Sequence, residues 1–120
     1  MRLEAGVEVR RYHHMGIPTD EPREGETFHP GLEFYNSGLD ESEYGIEWMR
    51  FEPGCPIPEL VRKVAHVAFE VDDIASELVG REVIIEPNSP SEGVTVAFIV
   101  ENGAPVELLQ FNKSAPPRKV

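Results

Sequence analysis

The feature that most constrains how this 120-residue chain can fold is an internal repeat. Laid over "PVELLQF" (105–111), the stretch "GIEWMRF" (45–51) puts Ile46 on Val106, Glu47 on Glu107, Trp48 on Leu108 and Phe51 on Phe111. Laid over "KVAHVAF" (63–69), "RYHHMGI" (11–17) puts His14 on His66 and Met15-Gly16-Ile17 on Val67-Ala68-Phe69. Each half opens on a strand pattern carrying a His and closes on one carrying a Glu. His14 and Glu47 are 33 positions apart, and His66 and Glu107 are 41 apart. The excess of eight is close to one short helix, present in the second half and missing from the first. Such a repeat implies two similar units that bury a shared surface.

Prolines and glycines mark the segments. Residues 6–17 read as a strand ending at Pro18, "PTDEPREGE" (18–26) as a charged loop, "LEFYN" (32–36) and "YGIEWMRF" (44–51) as strands. "EPGCPIPE" (52–59) reads as a linker. In the second half "VAHVAFEV" (64–71) alternates, with Val67, Phe69 and Val71 opposite His66, Ala68 and Glu70. "DDIASELVG" (72–80) predicts a short helix, capped by Asp72 or Asp73 and stopped at Gly80, with a stripe of Ile74, Leu78 and Val79. Three strands follow: "REVIIEP" (81–87), "GVTVAFIV" (93–100) and "PVELLQF". Asn102-Gly103 joins the last two as a hairpin turn. One domain is expected over 1–120, with modules at 6–52 and 63–111, a linker at 53–62 and a frayed tail at 112–120.

The period of two sends His14, Glu47, His66 and Glu107 to one face, beside the small Gly16, Gly45 and Ala68. Met15, Ile17, Ile46, Trp48, Val67, Phe69, Val106 and Leu108 take the opposite face as a core. A carboxylate among such residues costs several kcal/mol to bury unless it is paired or bound to a cation. Two imidazoles and two carboxylates without sulfur suit Zn, Ni, Co, Mn or Fe(II). Tyr12, Met49, Leu109 and Phe111 share that face and are expected to line an apolar substrate pocket. His13 points to the other face of a regular strand, although a bulge would exchange its role with that of His14.

A net charge of −11 argues against nucleic acid and anionic membrane surfaces as partners. No apolar run approaches the roughly 20 residues of a membrane span. No signal-peptide pattern opens the chain, so a cytoplasmic location is expected. The single Cys55 permits no internal disulfide and no cysteine-based zinc site, and it reads as an incidental thiol.

"HVAFEVDDI" (66–74) followed by a short helix, "VIIEP" and "AFIVENGAPVELLQF" (97–111) resembles the second module of the vicinal oxygen chelate superfamily. That group includes glyoxalase I, methylmalonyl-CoA epimerase, extradiol dioxygenases and bleomycin-resistance proteins. "HHMGI" and "GIEWMRFEP" extend the resemblance into the first half. It implies an α+β fold of paired βαβββ modules forming a cupped, half-open mixed sheet around a metal, in a homodimer. The first module here lacks most of its helix, replaced by residues 18–31. Metal-ligand positions of the glyoxalase-like branch fall on His14, Glu47, His66 and Glu107. Glu47, where the epimerase usually has Gln, favours the glyoxalase set. Dioxygenases use a three-ligand iron site and are typically longer. The implied activity is that of a metal-dependent lyase or isomerase. It would move a proton on a small α-oxygenated carbonyl substrate through an enediolate or enolate, with Glu107 as the first candidate base and Glu47 the second. Arg11, Arg23 and Arg50 are the basic candidates for binding glutathione, and each reads better as a surface ion-pair partner. The alternatives are a metal-free small-molecule binding protein of the bleomycin-resistance type and a module kept for dimerisation.

Overall fold

β-Branched and aromatic residues recur at alternate positions in several segments of this chain, such as "VAHVAFEV" (64–71), a pattern that suits pleated, half-buried strands. The computed structural model describes residues 9–112. Its strands are β1 (Arg10–Pro18), β2 (Thr27–His29), β3 (Phe34–Ser37), β4 (Ile46–Phe51), β5 (His66–Val71), β6 (Glu82–Ser91), β7 (Val94–Glu101) and β8 (Ala104–Phe111). Helix α1 (Glu59–Lys63) precedes β5, and α2 (Ile74–Leu78) follows it. All eight strands form one mixed sheet in the order β2-β3-β4-β1-β5-β8-β7-β6. β1 runs parallel to β4 and β5 parallel to β8, while β1 and β5 meet antiparallel at the centre.

The sheet is cupped. Side chains from every strand, from His29 on β2 to Ile85 on β6, line one cavity. In a flat eight-stranded sheet the outer strands would lie about 34 Å apart, given roughly 4.8 Å per strand, and could not share it. On the concave side Ala68, Val94, Val96, Phe98 and Leu109 pack with Val61 of α1. On the convex side Ile74 of α2 closes over Val71, Ala97, Ile99 and Leu108. Ile74 is 3% exposed, so Ile74→Val should cost roughly 0.5–1.5 kcal/mol without changing the urea m-value. Equilibrium urea unfolding checks this.

Asp73 caps α2 by accepting from the Ala75 amide, and Asn102 and Gly103 both have positive φ in a tight hairpin turn. Several expectations need correction. Val79 does not join the helix stripe; α2 ends at Leu78, and Val79, in an extended conformation, is 77% exposed. The linker at 53–62 contains the start of α1, for which Pro58, Glu59, Arg62 and Lys63 supply the end signals. The loop at 18–31 contains β2, only three residues long and held by pairing with β3. Of the expected convex core only Leu108 is fully buried. Met15, Ile17, Ile46, Trp48, Val67, Phe69 and Val106 are half-buried. Phe69 and Val106 pack at the margin of the α2 cluster, while the described residues of the first half contain no α-helix to cover Met15, Ile17, Ile46 and Trp48, and over Trp48 lies the Arg23 guanidinium, 4.7 Å from the ring centroid. No helix among the described residues is long and apolar enough to cross a membrane. Residues 6–8 of the first predicted strand, and 113–120 of the tail, lie outside the described residues.

Candidate metal centre

Strand pairing brings the repeated residues together. In the antiparallel β1–β5 register His14 stands opposite Ala68, and Gly16 opposite His66. In the parallel β5–β8 register Ala68 stands opposite Glu107. Ala68 therefore separates His14 from Glu107 with only a methyl group between them, and both side chains project to the concave face. Gly16 lets the His66 ring lie directly on the backbone, because a Cβ there would come within 2.7 Å of Nε2 and 2.9 Å of Nδ1.

The result is a buried cluster. His14 Nε2 is 3.0 Å and His66 Nε2 3.1 Å from the same Glu107 Oε1, and one ligand atom from each of the three residues lies within 4.8 Å of the others. His14, His66 and Glu107 are 1%, 2% and 7% exposed. Burial acts against ionisation of Glu107, but hydrogen bonds from His14 and His66, with their charges, outweigh it and hold the carboxyl far below its usual range. Glu47, opposite Gly16 on β4, reaches the cluster through His14: Oε1 is 3.4 Å from His14 Nε2. Its Oε2 accepts from Asn36 Nδ2 at 2.5 Å, and Asn36 Oδ1 meets His29 Nε2 at 2.8 Å.

The far side of His14 is also held. The β1–β5 register shifts between Tyr12 and His14, and His13 Nδ1 lies 2.7 Å from His14 Nδ1. The bulge thus turns His13 towards its neighbour rather than to the opposite face, while His14 keeps its place in the cluster. With a cation in place, a proton on His14 Nδ1 shared with His13 would leave Nε2 free to ligate it in place of the hydrogen bond to Glu107, which is the tautomer a metal ligand needs. His66 Nδ1 is buried without a hydrogen-bond partner among the described residues.

These residues fit a divalent cation. Two imidazole nitrogens and a carboxylate oxygen converge, and no Lys or Arg among the described residues lines the cavity. Bonds of about 2.0–2.1 Å to a tetrahedral zinc place neighbouring donors about 3.3–3.5 Å apart. His14 and His66 lie 3.0 and 3.1 Å from Glu107, and Glu47 lies 3.4 Å from His14, close to those values, while the two imidazoles are within 4.8 Å of each other. Of the four expected ligands, the structure gathers His14, His66 and Glu107 into one cluster and sets Glu47 at its edge.

The cavity above this cluster has a volume of about 270 Å³. Met49 lines it; the other three residues expected there do not. Tyr12 is 50% exposed and donates to the Tyr44 carbonyl, because the bulge rotates it outward. Leu109 shares the concave face but is sealed beneath Val61, Val96 and Phe98, and Phe111 packs at the margin of that cluster. The sequence reading missed Phe34, Asn36 and His29. Alternation within "LEFYN" puts Phe34 and Asn36 on one face, but only the pairing of β3 with β4 aims that face at Glu47.

No family model matches the chain, and no curated protein matches it. Among solved structures it resembles a hypothetical protein, BH1468, from Bacillus halodurans C-125, with a TM-score of 0.64 and 20% identity. The match covers 90% of this chain and 99% of that one. The likeness extends to the fold.

Proposed function

We propose that the chain is a metal-dependent lyase or isomerase of the vicinal oxygen chelate type, acting on a small α-oxygenated carbonyl compound. The observation that carries this reading is the convergence of His14, His66 and Glu107 at the floor of an apolar cavity, with the Glu47 carboxylate beside them. The matched registers support two equivalent modules, the first without its helix. Gly16 faces Glu47 across β1–β4 as Ala68 faces Glu107 across β5–β8, and Met15–Ile46 corresponds to Val67–Val106. The half-buried apolar convex face, with Met15, Ile46, Trp48 and Val67, supports a homodimer as part of the proposal.

A divalent cation held by His14, His66 and Glu107 would supply Lewis-acid polarisation of adjacent substrate oxygens. The protein's own carboxylates then divide the remaining work. Glu107 is approached by both imidazoles at 3.0 and 3.1 Å and sits at the centre of the ligand set, so it serves as an anchor. Glu47 has one oxygen fixed by Asn36 and the other directed at the cluster, which makes it the better proton acceptor. This reverses the order that the family resemblance suggests. The apolar walls formed by Phe34, Met49, Val96 and Phe98 exclude water from the carbon that would lose the proton.

The test is metal content by mass spectrometry on untagged protein, followed by α-proton exchange of hydroxyacetone in deuterium oxide, read by NMR. About one divalent ion per chain is expected, with exchange that depends on it. No metal after reconstitution with Ni, Co, Zn and Mn would sink the enzyme reading. The cavity would then stand as a metal-free small-molecule binding site.

A further inference from the structure

The walls of the cavity identify what it can hold. Below the rim the lining is apolar: Phe34, Met49, Ile57, Val61, Val96 and Phe98. The three polar lining residues outside the cluster have hydrogen-bond partners within the protein. His29 and Asn36 bond each other, Asn36 also donates to Glu47, and Asn88 donates to the carbonyls of Glu86 and Val96. Nor do the arginines singled out in the sequence serve the cavity. Arg11 pairs with Glu70 and Asp72, Arg50 pairs with Glu26 and stacks on Tyr35, and Arg23 lies over Trp48. Glu47 and Glu107 together would neutralise a divalent ion, leaving no net positive charge for an anionic ligand. The chain as a whole carries −11. At about 270 Å³ the space is also at the small end for a ligand pocket.

Resting on the function proposed above, we infer that the substrate is a small, uncharged, predominantly apolar molecule with two adjacent oxygens, not a glutathione or coenzyme A conjugate. Its oxygens meet the floor at His14, His66 and Glu107, and its carbon body fills the space between Phe34, Met49 and Phe98. An anion in that position would be desolvated at a site with no net positive charge, which is costly. A tripeptide or nucleotide carrier exceeds the space and finds no Lys or Arg among the described residues that line it.

Calorimetric titration of the full chain, zinc-loaded and metal-free, tests this with two near-isosteric probes: neutral 1-phenyl-1,2-propanedione and anionic benzoylformate. The glutathione hemithioacetal of phenylglyoxal is the third. The neutral dione should bind at least about tenfold more tightly than benzoylformate, and the glutathione adduct should not bind. Leu32→Arg, at an exposed rim position, should narrow the gap between the two probes by raising benzoylformate affinity severalfold. Equal or tighter binding of benzoylformate or the adduct to the unaltered protein would overturn the substrate class, as would failure of the dione to bind either form. Metal content separates the two claims. A metal-bearing protein that prefers the anion refutes only the substrate class. A protein that never takes metal yet binds the neutral dione refutes only the enzyme reading.

Discussion

Glu107→Ala should lower zinc affinity by more than about 100-fold, beyond the loss usual when only a supporting residue is removed. Glu107 Oε1 is the atom both imidazoles approach, at 3.0 and 3.1 Å, so its removal takes the centre out of the cluster. Competition with a chromogenic chelator measures the change. Glu47→Gln should behave differently. It keeps the triad and its metal, but slows α-proton exchange by roughly 10²–10⁴-fold if Glu47 is the general base. A Glu47→Gln protein that exchanges normally would return the proton-accepting role to Glu107. The pH dependence has a definite sign. Glu107 is held below its ordinary value of 4.5, so the stability it contributes is present above that pH and lost as pH falls through its folded value. Metal released between pH 7 and 5 therefore does not report protonation of Glu107.

Gly16→Ala should disturb the same site without changing any ligand. The φ of Gly16 is not in the left-handed region, so the backbone accepts alanine, and the conflict is one of contact alone. The added methyl would meet Cε1, Nε2 and Nδ1 of His66 at once. That ring cannot swing freely, because it packs edge-on against Phe98 at 5.0 Å and against His14 at 5.6 Å. Overpacking of this kind costs about 1–3 kcal/mol. A displaced Nε2 should also weaken metal binding by about 10–100-fold, the scale of a lost supporting contact. Urea unfolding and chelator competition on the same protein give both numbers. Metal affinity equal to that of the unaltered chain would mean that His66 is not a ligand.

Much of this arrangement was legible in the sequence because it depends on local periodicity. A period of two assigns His14, Glu47, His66 and Glu107 to one face whatever the rest of the chain does, and the repeat pairs them. The small residues at positions 16 and 68 carry the same information, since side chains can cross above a strand only where their neighbours leave room. Asn102-Gly103 and Asp73 act within a few residues of themselves, and both appear where local chemistry puts them.

What could not be read depended on which strands become neighbours. The bulge beside His13 arises from the fit of β1 against β5. It turns Tyr12 out of the cavity and brings His13 to the back of His14. Nothing in "RYHHMGI" specifies it. Asn36 and His29 reach Glu47 only because β3 pairs antiparallel with β4, and β2 with β3. Leu109 and Glu107 share a face, yet one is sealed and the other opens on the cavity, because α1 and β7 cover only part of that face. The sequence by itself determined the longer strands, the alternation of faces along each and the four repeated acid and imidazole groups, since those follow from dihedral alternation along a single segment. Only the tertiary structure decided which atoms of those groups meet, which carboxylate stands apart and what walls enclose them, because those depend on register and curvature between segments distant in the chain.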